Sequence, residues 1–247
     1  MMMHAEQENM RPKFVSFSGI DGAGKSTQIR QFCAAIEQAG LRCSVVSFWD
    51  DVARFKTLRE GASHVIFKGD KGIGTPEAPI SRRDKNVRSW MMTLLRLCIY
   101  LADAVSTRTL MKRAQRSGAD VATADVIIFD RFIYDELANL RLQNAVMRTY
   151  AGMIARFVPK PDISFLLDAD PVRALARKPE YPLEFLQFSR YSYFALNEII
   201  DCMTIIAPMS ICEAELEILG RAEAALSVAP AQQIRNRQED LVASVLK

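Results

Sequence analysis

The sequence predicts an α/β architecture of three layers, a five-stranded parallel sheet with helices on both faces. Three observations predict it. Short apolar runs recur along the chain: Lys13–Ser18, Arg42–Phe48, Val126–Phe129, Ile163–Leu167 and Met203–Ala207. Segments of helical periodicity separate them, as in successive βαβ units. The runs themselves are nearly continuous in hydrophobicity, as strands covered on both faces are.

Taken in order, Lys13–Ser18 leads into a glycine-rich turn and then a helix over Lys25–Ala39, with Ile29, Phe32, Cys33 and Ile36 on one face. Gly40 is a suitable stop for it, and Arg42–Phe48 is the second strand. Residues 50–89 carry Gly61, Gly69, Gly72 and Gly74 and predict a partly irregular insertion. A long helix is predicted over about 81–116 and another over about 134–157. Further helices are predicted over 171–177, over 183–201 and after Ala207. The domain reading is a disordered lead-in over 1–12, one domain over 13–227 with a short lid around 171–185, and a tail over 228–247.

A chain of 247 residues that is 49% hydrophobic can bury a substantial core. The net charge of +3 suits phosphate-rich small molecules and is weak for a nucleic-acid platform, for which no aromatic stacking motif stands out. The five cysteines (Cys33, Cys43, Cys98, Cys202 and Cys212) form no CxxC pair. They are read as reduced thiols filling the core of a cytoplasmic protein. The apolar run Trp90–Val105 is interrupted by Arg96 and Asp103 and is too short to span a membrane, so a buried core helix is expected there. Met1–Met10 has no apolar segment of the secretory kind.

The strongest chemical signal is Gly19-Ile20-Asp21-Gly22-Ala23-Gly24-Lys25-Ser26, followed by Thr27. It matches GxxxxGK[ST] between a strand and a helix, which is the context that the motif needs. Gly19, Gly22 and Gly24 let the backbone curl so that N–H groups, including those of Ala23 and Thr27, point at phosphate oxygens. The helix N-terminus adds positive potential at the same place. Lys25 would reach the β- and γ-phosphates of ATP, and the Ser26 hydroxyl would bind Mg²⁺. These residues predict a three-layer P-loop NTPase fold.

Asp130 and Arg131 follow the strand Val126–Phe129. An acidic residue there lies beside the phosphate loop and can hold Mg²⁺ directly or through water, while Arg131 can clamp phosphate with its planar fork. A strand-end salt bridge is the alternative. Arg173 and Arg177 stand at i, i+4 after Leu167-Asp168-Ala169-Asp170-Pro171, with Lys178 next to them. They can close over a transferring phosphoryl group or form a solvated basic face. The basic cluster Arg82, Arg83, Lys85 and Arg88 is read mainly as a solvated face.

With these residues in hand, the chain resembles the thymidylate kinase family of nucleoside-monophosphate kinases. Phe17–Gln28 is similar to that family's own phosphate loop, and Asp130-Arg131-Phe132 resembles its Asp-Arg-(Tyr/His) motif. Tyr100-Leu101-Ala102-Asp103 is similar to the Phe-Ala-Ala-Asp stretch of its central helix. Leu167–Pro171, with Ala174 and Arg177, resembles the strand that leads into its lid, so the likeness spans about Phe14 to Leu219.

The resemblance implies transfer of the ATP γ-phosphoryl group to dTMP or a related nucleotide. It implies that Asp21 faces the acceptor's sugar hydroxyl and that Arg131 bridges donor and acceptor phosphates. Ala23 stands where some members carry a catalytic arginine; members without it draw the arginine from the lid, where Arg173 and Arg177 are the candidates. Homodimers through the central helices are common in the family, and a purely intramolecular role for Trp90–Val105 is the alternative.

Departures fall on the acceptor side. Ala104 replaces an arginine, Asp135, Asn139 and Leu140 replace a serine and a Tyr-Gln pair, and Trp49-Asp50-Asp51 replaces a proline-glycine loop. Asp50 is retained as a candidate substrate-binding residue. Two rival functions remain open at this point. One is a deoxynucleoside kinase, using Asp50 or Asp51 as the base that a hydroxyl nucleophile requires; the other is a nucleotide-binding switch without an acceptor. No nucleic-acid or membrane partner is expected.

Overall fold

The computed structural model describes residues 11–53, 90–116 and 124–226. Five parallel strands form the sheet: β1 (Lys13–Ser18), β2 (Cys43–Ser47), β3 (Val126–Asp130), β4 (Ile163–Leu167) and β5 (Thr204–Ile206). Their order is β2-β3-β1-β4-β5, so the strand before the glycine-rich loop is central. The helices are α1 (Lys25–Gln38), α2 (Trp90–Arg116), α3 (Ile133–Leu137), α4 (Ala145–Phe157), α5 (Pro171–Arg177), α6 (Leu183–Ile200) and α7 (Ile211–Leu226).

Strand alternation divides this apolar material between two cores. Phe14, Ile127, Phe129 and Leu166 face one side, where they meet Met111, Ile133, Leu137, Ile154 and Leu196 of α2, α3, α4 and α6. Val15, Phe17, Val126, Ile128, Phe165 and Leu167 face the other, against Ile29, Phe32 and Ile36 of α1 and Ile218 and Leu219 of α7. This is why the central strands β1, β3 and β4 read as nearly unbroken hydrophobic runs: almost every residue is buried, whichever way it points, while the edge strands β2 and β5 are partly exposed. The register Phe17↔Asp130 and Ser18↔Leu166 brings the ends of β1, β3 and β4 to one edge.

The predicted strands all form: β1 and β4 keep the expected ends, β2 and β5 are one residue shorter at each end, and β3 runs one residue further to Asp130. The single helix expected over 134–157 is instead two, α3 and α4. Asn144 starts a new helix there, its side-chain oxygen accepting from the N–H groups of Val146 (2.8 Å) and Met147 (3.4 Å). The intervening turn packs Leu140 and Leu142 into the core, a tertiary reward that a continuous helix would forgo. Past β2, Phe48–Val52 makes one π-helical turn, closed by Ala53 N–H donating to the Phe48 carbonyl at 2.7 Å.

The expectation of a wholly buried Trp90–Val105 segment is also corrected. Tyr100, Asp103, Ala104, Thr107, Met111 and Ala114 form the inward stripe of α2. Trp90, Leu94 and Leu101 remain 73%, 53% and 47% exposed on its outer side. The cysteines fill the core only in part: Cys33, Cys43 and Cys202 are half-buried against it, Cys212 is half-buried, and Cys98 is exposed. Cys33 and Cys43 lie with their sulfurs 2.7 Å apart, bridging α1 and β2. The insertion over 54–89 with its basic cluster, the start of the helix predicted from residue 81, and the tail over 228–247 lie outside the described residues.

Gly19 is required by packing as well as conformation. Its φ is +141°, and a Cβ there would lie 2.5 Å from the Leu167 carbonyl oxygen of β4. Gly19→Ala is therefore expected to destabilise the fold by about 2 kcal/mol or more, read as a lowered urea midpoint. An unchanged midpoint would mean that the β4 backbone yields freely at this point.

Candidate functional site

The loop after β1 wraps into α1 through three glycines with positive φ: Gly19 (141°), Gly22 (80°) and Gly24 (94°). Its bend is closed by Ala23 N–H donating to the Ile20 carbonyl at 3.2 Å, and Thr27 and Gln28 N–H both return to the Gly24 carbonyl at 3.1 Å. Gly22 sits against the lid segment, since a Cβ there would stand 2.4 Å from the Ala174 carbonyl of α5.

Lys25 is buried and donates to the carbonyls of Gly19 (2.8 Å) and Ile20 (2.9 Å) across its own loop. Burial and then the positive charge of Arg131 push its pKa down to about 8, against the pull of Asp21, Asp135 and Asp130. Ser26 is exposed on the first turn of α1, and Thr27 is half-buried behind it.

Arg131 stands just past β3 with φ +69°, rare for a residue with a side chain, and its N–H donates to the Phe17 carbonyl at 3.0 Å. That backbone turn directs the guanidinium back across the end of β1. There it pairs with Asp21 of the phosphate loop and with Asp135 of α3, the latter at 3.3 Å. Burial opposes its charge, but Asp135, Tyr193 and Asp21 outweigh burial and raise its pKa. For Asp21, burial is outweighed by Arg131, Lys25 and Lys178, and the carboxyl is held below its usual value.

The structure therefore brings Lys25, Asp21, Arg131 and Asp130 together at the sheet edge. Asp130 ends β3 half-buried, accepts no hydrogen bond among the described residues, and its charge reaches Lys25. No cluster of three or more His, Cys, Asp or Glu able to hold a metal occurs among the described residues. An exposed hydroxyl and one uncommitted carboxylate beside a phosphate loop do suit Mg²⁺, which takes few protein ligands and completes its shell with phosphates and water.

The residues expected to form a lid are more open. Asp170 caps α5 by accepting from Val172 N–H at 2.9 Å, with Pro171 in the first turn. Arg173 is exposed with its Nε 4.0 Å from Asp170, and Arg177 Nε donates to the Arg173 carbonyl at 3.3 Å. Neither arginine joins the buried cluster. Asp50 is tied locally, accepting from Ser47 Oγ at 3.1 Å, while Asp51 accepts from Ser47 N–H at 2.7 Å.

Sequence reasoning missed three participants. Asp135 was legible only as a departure from a pattern, although its i+4 spacing from Arg131 is a pairing signal. Tyr193 donates to Asp135 at 2.7 Å, and burial together with that carboxylate raises its pKa well above the ordinary value. Arg190 makes a two-point pair with Asp168 at 2.6 and 2.7 Å. Nothing in the local sequence of α6 marks either residue, because both partners lie on other elements.

Because the folded chain holds Lys25 near pKa 8, below the ordinary 10.5, the unfolded chain binds more protons between those values. Stability from this group thus rises with pH across that window, and below it the buried charge costs about 3 kcal/mol. Lys25→Met is expected to equal or exceed the parent's stability at pH 7, with the advantage shrinking from pH 8 towards 10.5. Urea melts over that range check it; an advantage that grew with pH would contradict the burial argument.

Comparison with known proteins places this geometry. The chain is 28% identical over 220 residues to a probable thymidylate kinase of Thermococcus gammatolerans, across 85% of this chain and 95% of that relative. It is 27% identical over 173 residues to the thymidylate kinase of Solidesulfovibrio magneticus, across 66% of this chain and 68% of that protein. Among solved structures it is similar to thymidylate kinase from Candida albicans, with a TM-score of 0.55 and 14% identity over 87% of this chain and 92% of that one. That last likeness is one of fold. No protein-family model matches the chain.

Proposed function

We infer that this chain belongs to the thymidylate kinase family and transfers the γ-phosphoryl group of ATP to dTMP or a related nucleotide, giving dTDP and ADP. One observation carries this reading most: Lys25 and Arg131, from two different strand ends, converge on the mouth of a glycine-built phosphate loop. The deoxynucleoside kinase alternative gains nothing from Asp50 and Asp51, whose carboxylates are engaged by Ser47.

The acceptor phosphate is already anionic at neutral pH, so its oxygen attacks without a strong general base. Catalysis then rests on alignment and charge neutralisation. Backbone N–H groups of Gly22, Gly24, Lys25 and Ser26 receive the donor phosphates, while those of Ala23 and Thr27, expected to do the same, are committed to the Ile20 and Gly24 carbonyls and shape the bend. Lys25 leaves the carbonyls of Gly19 and Ile20 and moves onto the phosphate oxygens. Ser26 and Asp130 would hold Mg²⁺, which neutralises charge on the donor phosphates when bound. Arg131 spans donor and acceptor, Arg173 and Arg177 close from the lid, and Asp21 and Asp50 belong to the acceptor side.

Lys25→Ala and Arg131→Ala are each expected to lose transfer by at least about 100-fold while remaining folded. ADP release measured across a panel of nucleosides and nucleoside monophosphates checks both the variants and the acceptor. A fully active Lys25→Ala protein, or turnover with nucleosides alone, would defeat the assignment.

No helix among the described residues is long and apolar enough to cross a membrane. The outer face of α2 is better covered by a second copy of this chain, as a homodimer. Its exposed Trp90, Leu94, Leu101 and Val105 continue onto exposed Val146 and Met153 of α4. Tyr150 of α4 ties the two helices together, its hydroxyl donating to the Leu97 carbonyl at 2.6 Å. An apolar face of this kind is what a subunit interface removes from water. Light scattering should give a dimer mass for the parent and a monomer mass for Leu94→Glu/Leu101→Glu. A monomeric parent would refute the interface.

A further inference from the structure

We propose that Asp135 is the positioning residue that fixes Arg131, and that Asp21 is the exchangeable partner which an incoming phosphate displaces. The inference rests on the phosphotransfer reading and assigns different duties to the two carboxylates on one guanidinium.

Asp135 is buried, and both of its oxygens are filled. Oδ1 accepts from Tyr193 Oη at 2.7 Å and from Arg131 Nη1 at 3.3 Å. Oδ2 accepts from Ser18 Oγ at 2.7 Å and from Phe132 N–H at 3.0 Å. A carboxylate offers about four lone-pair sites, so this one is saturated. The donors come from β1, from the turn after β3 and from α6, three elements held by the two cores. To turn away, Asp135 would have to break all four bonds and leave Ser18 and Tyr193 unsatisfied in the interior.

Asp21 is bound otherwise. It lies on the phosphate loop, its side chain is 21% exposed, and Arg131 is its one hydrogen-bonding partner among the described residues. Arg131 faces two carboxylates, so Asp21 occupies on Nη2 a place that a phosphate oxygen could take. Exchanging Asp21 for phosphate on Nη2 replaces one charge-assisted acceptor with another. Nη1 stays on Asp135 throughout, so the fork meets the phosphate already aimed. This preorganisation lowers the cost of orienting a long, flexible side chain during the reaction.

Chemical rescue tests the proposal. Arg131→Ala should leave a pocket in which methylguanidinium can seat against Asp135 and restore transfer in a saturable way. In Arg131→Ala/Asp135→Asn the rescue should fall by at least about 10-fold, since the fixed charge is gone. Equal rescue in the two backgrounds would overturn the inference.

Tyr193→Phe gives a second arm that removes only a hydroxyl. It should lower kcat by roughly 10-fold and leave KM for ATP within about twofold, beyond any change in folded fraction. Unchanged kcat would also overturn it, because a purely structural hydroxyl would alter the melting temperature alone. A parent chain that transfers phosphoryl to no acceptor sinks the phosphotransfer reading and this inference together. A turning-over parent with equal rescue sinks this inference alone.

Discussion

The site depends on how closely the loop after β1 approaches the backbone of β4 and α5. Carbonyl oxygens of Leu167 and Ala174 occupy the space that side chains at Gly19 and Gly22 would need. The phosphate loop and the lid segment therefore share a wall. Asp168 and Asp170 reinforce it from the lid side, one pinned by Arg190 and the other capping α5. Besides the Lys25 ammonium, which holds the Gly19 and Ile20 carbonyls, the glycine-rich bend is braced by its neighbour's main chain.

That geometry sets an electrostatic problem. Lys25 and Arg131 are two cations in one poorly solvated corner, and the charge of Arg131 lowers the affinity of Lys25 for its proton. The fold offsets this with Asp21, Asp130 and Asp135, one from the loop, one from the end of β3 and one from α3. A polyphosphate entering the site would supply the same negative charge from outside. Among the described residues that corner is thus balanced by groups of unequal commitment: Asp135 saturated, Asp21 singly bound, Asp130 uncommitted. An unequal set of this kind lets charge be exchanged without the cations moving far, which is the condition for a site that must bind anions and then release them.

Much of the fold was legible in the sequence because both cores draw on the same simple pattern. Lys13–Ser18 and Ile163–Leu167 are apolar at most buried positions, with only Ser16, Ser18 and Ser164 as small polar exceptions, and are flanked by turn residues, so even their ends are readable. The break between α3 and α4 was not. It depends on Asn144 capping a helix and on Leu140 and Leu142 finding the core, and periodicity alone reports neither. The outer face of α2 was misread for a related reason. A helix that is apolar all round reads as buried, whether its second face meets the same chain or another copy. Within the site, Lys25 and Arg131 announced themselves by motif. Tyr193 and Arg190 did not, since their partners lie 58 and 22 residues away in the chain.

The distribution of departures from the family pattern follows from the same physics. On the proposed reading, transfer between two phosphates requires little covalent chemistry of the protein, and the donor loop, Lys25, Asp130 and Arg131 would carry nearly all of the catalytic demand. Those positions keep the pattern. The acceptor side does not: Ala104 and Leu140 are buried apolar residues where the pattern has an arginine and a glutamine. Asp135 lies between the two regimes. A carboxylate at this buried position is sustainable only because Arg131, Tyr193, Ser18 and Phe132 N–H all converge on it. Surrounding that charge with donors links α6 to Arg131 through one residue.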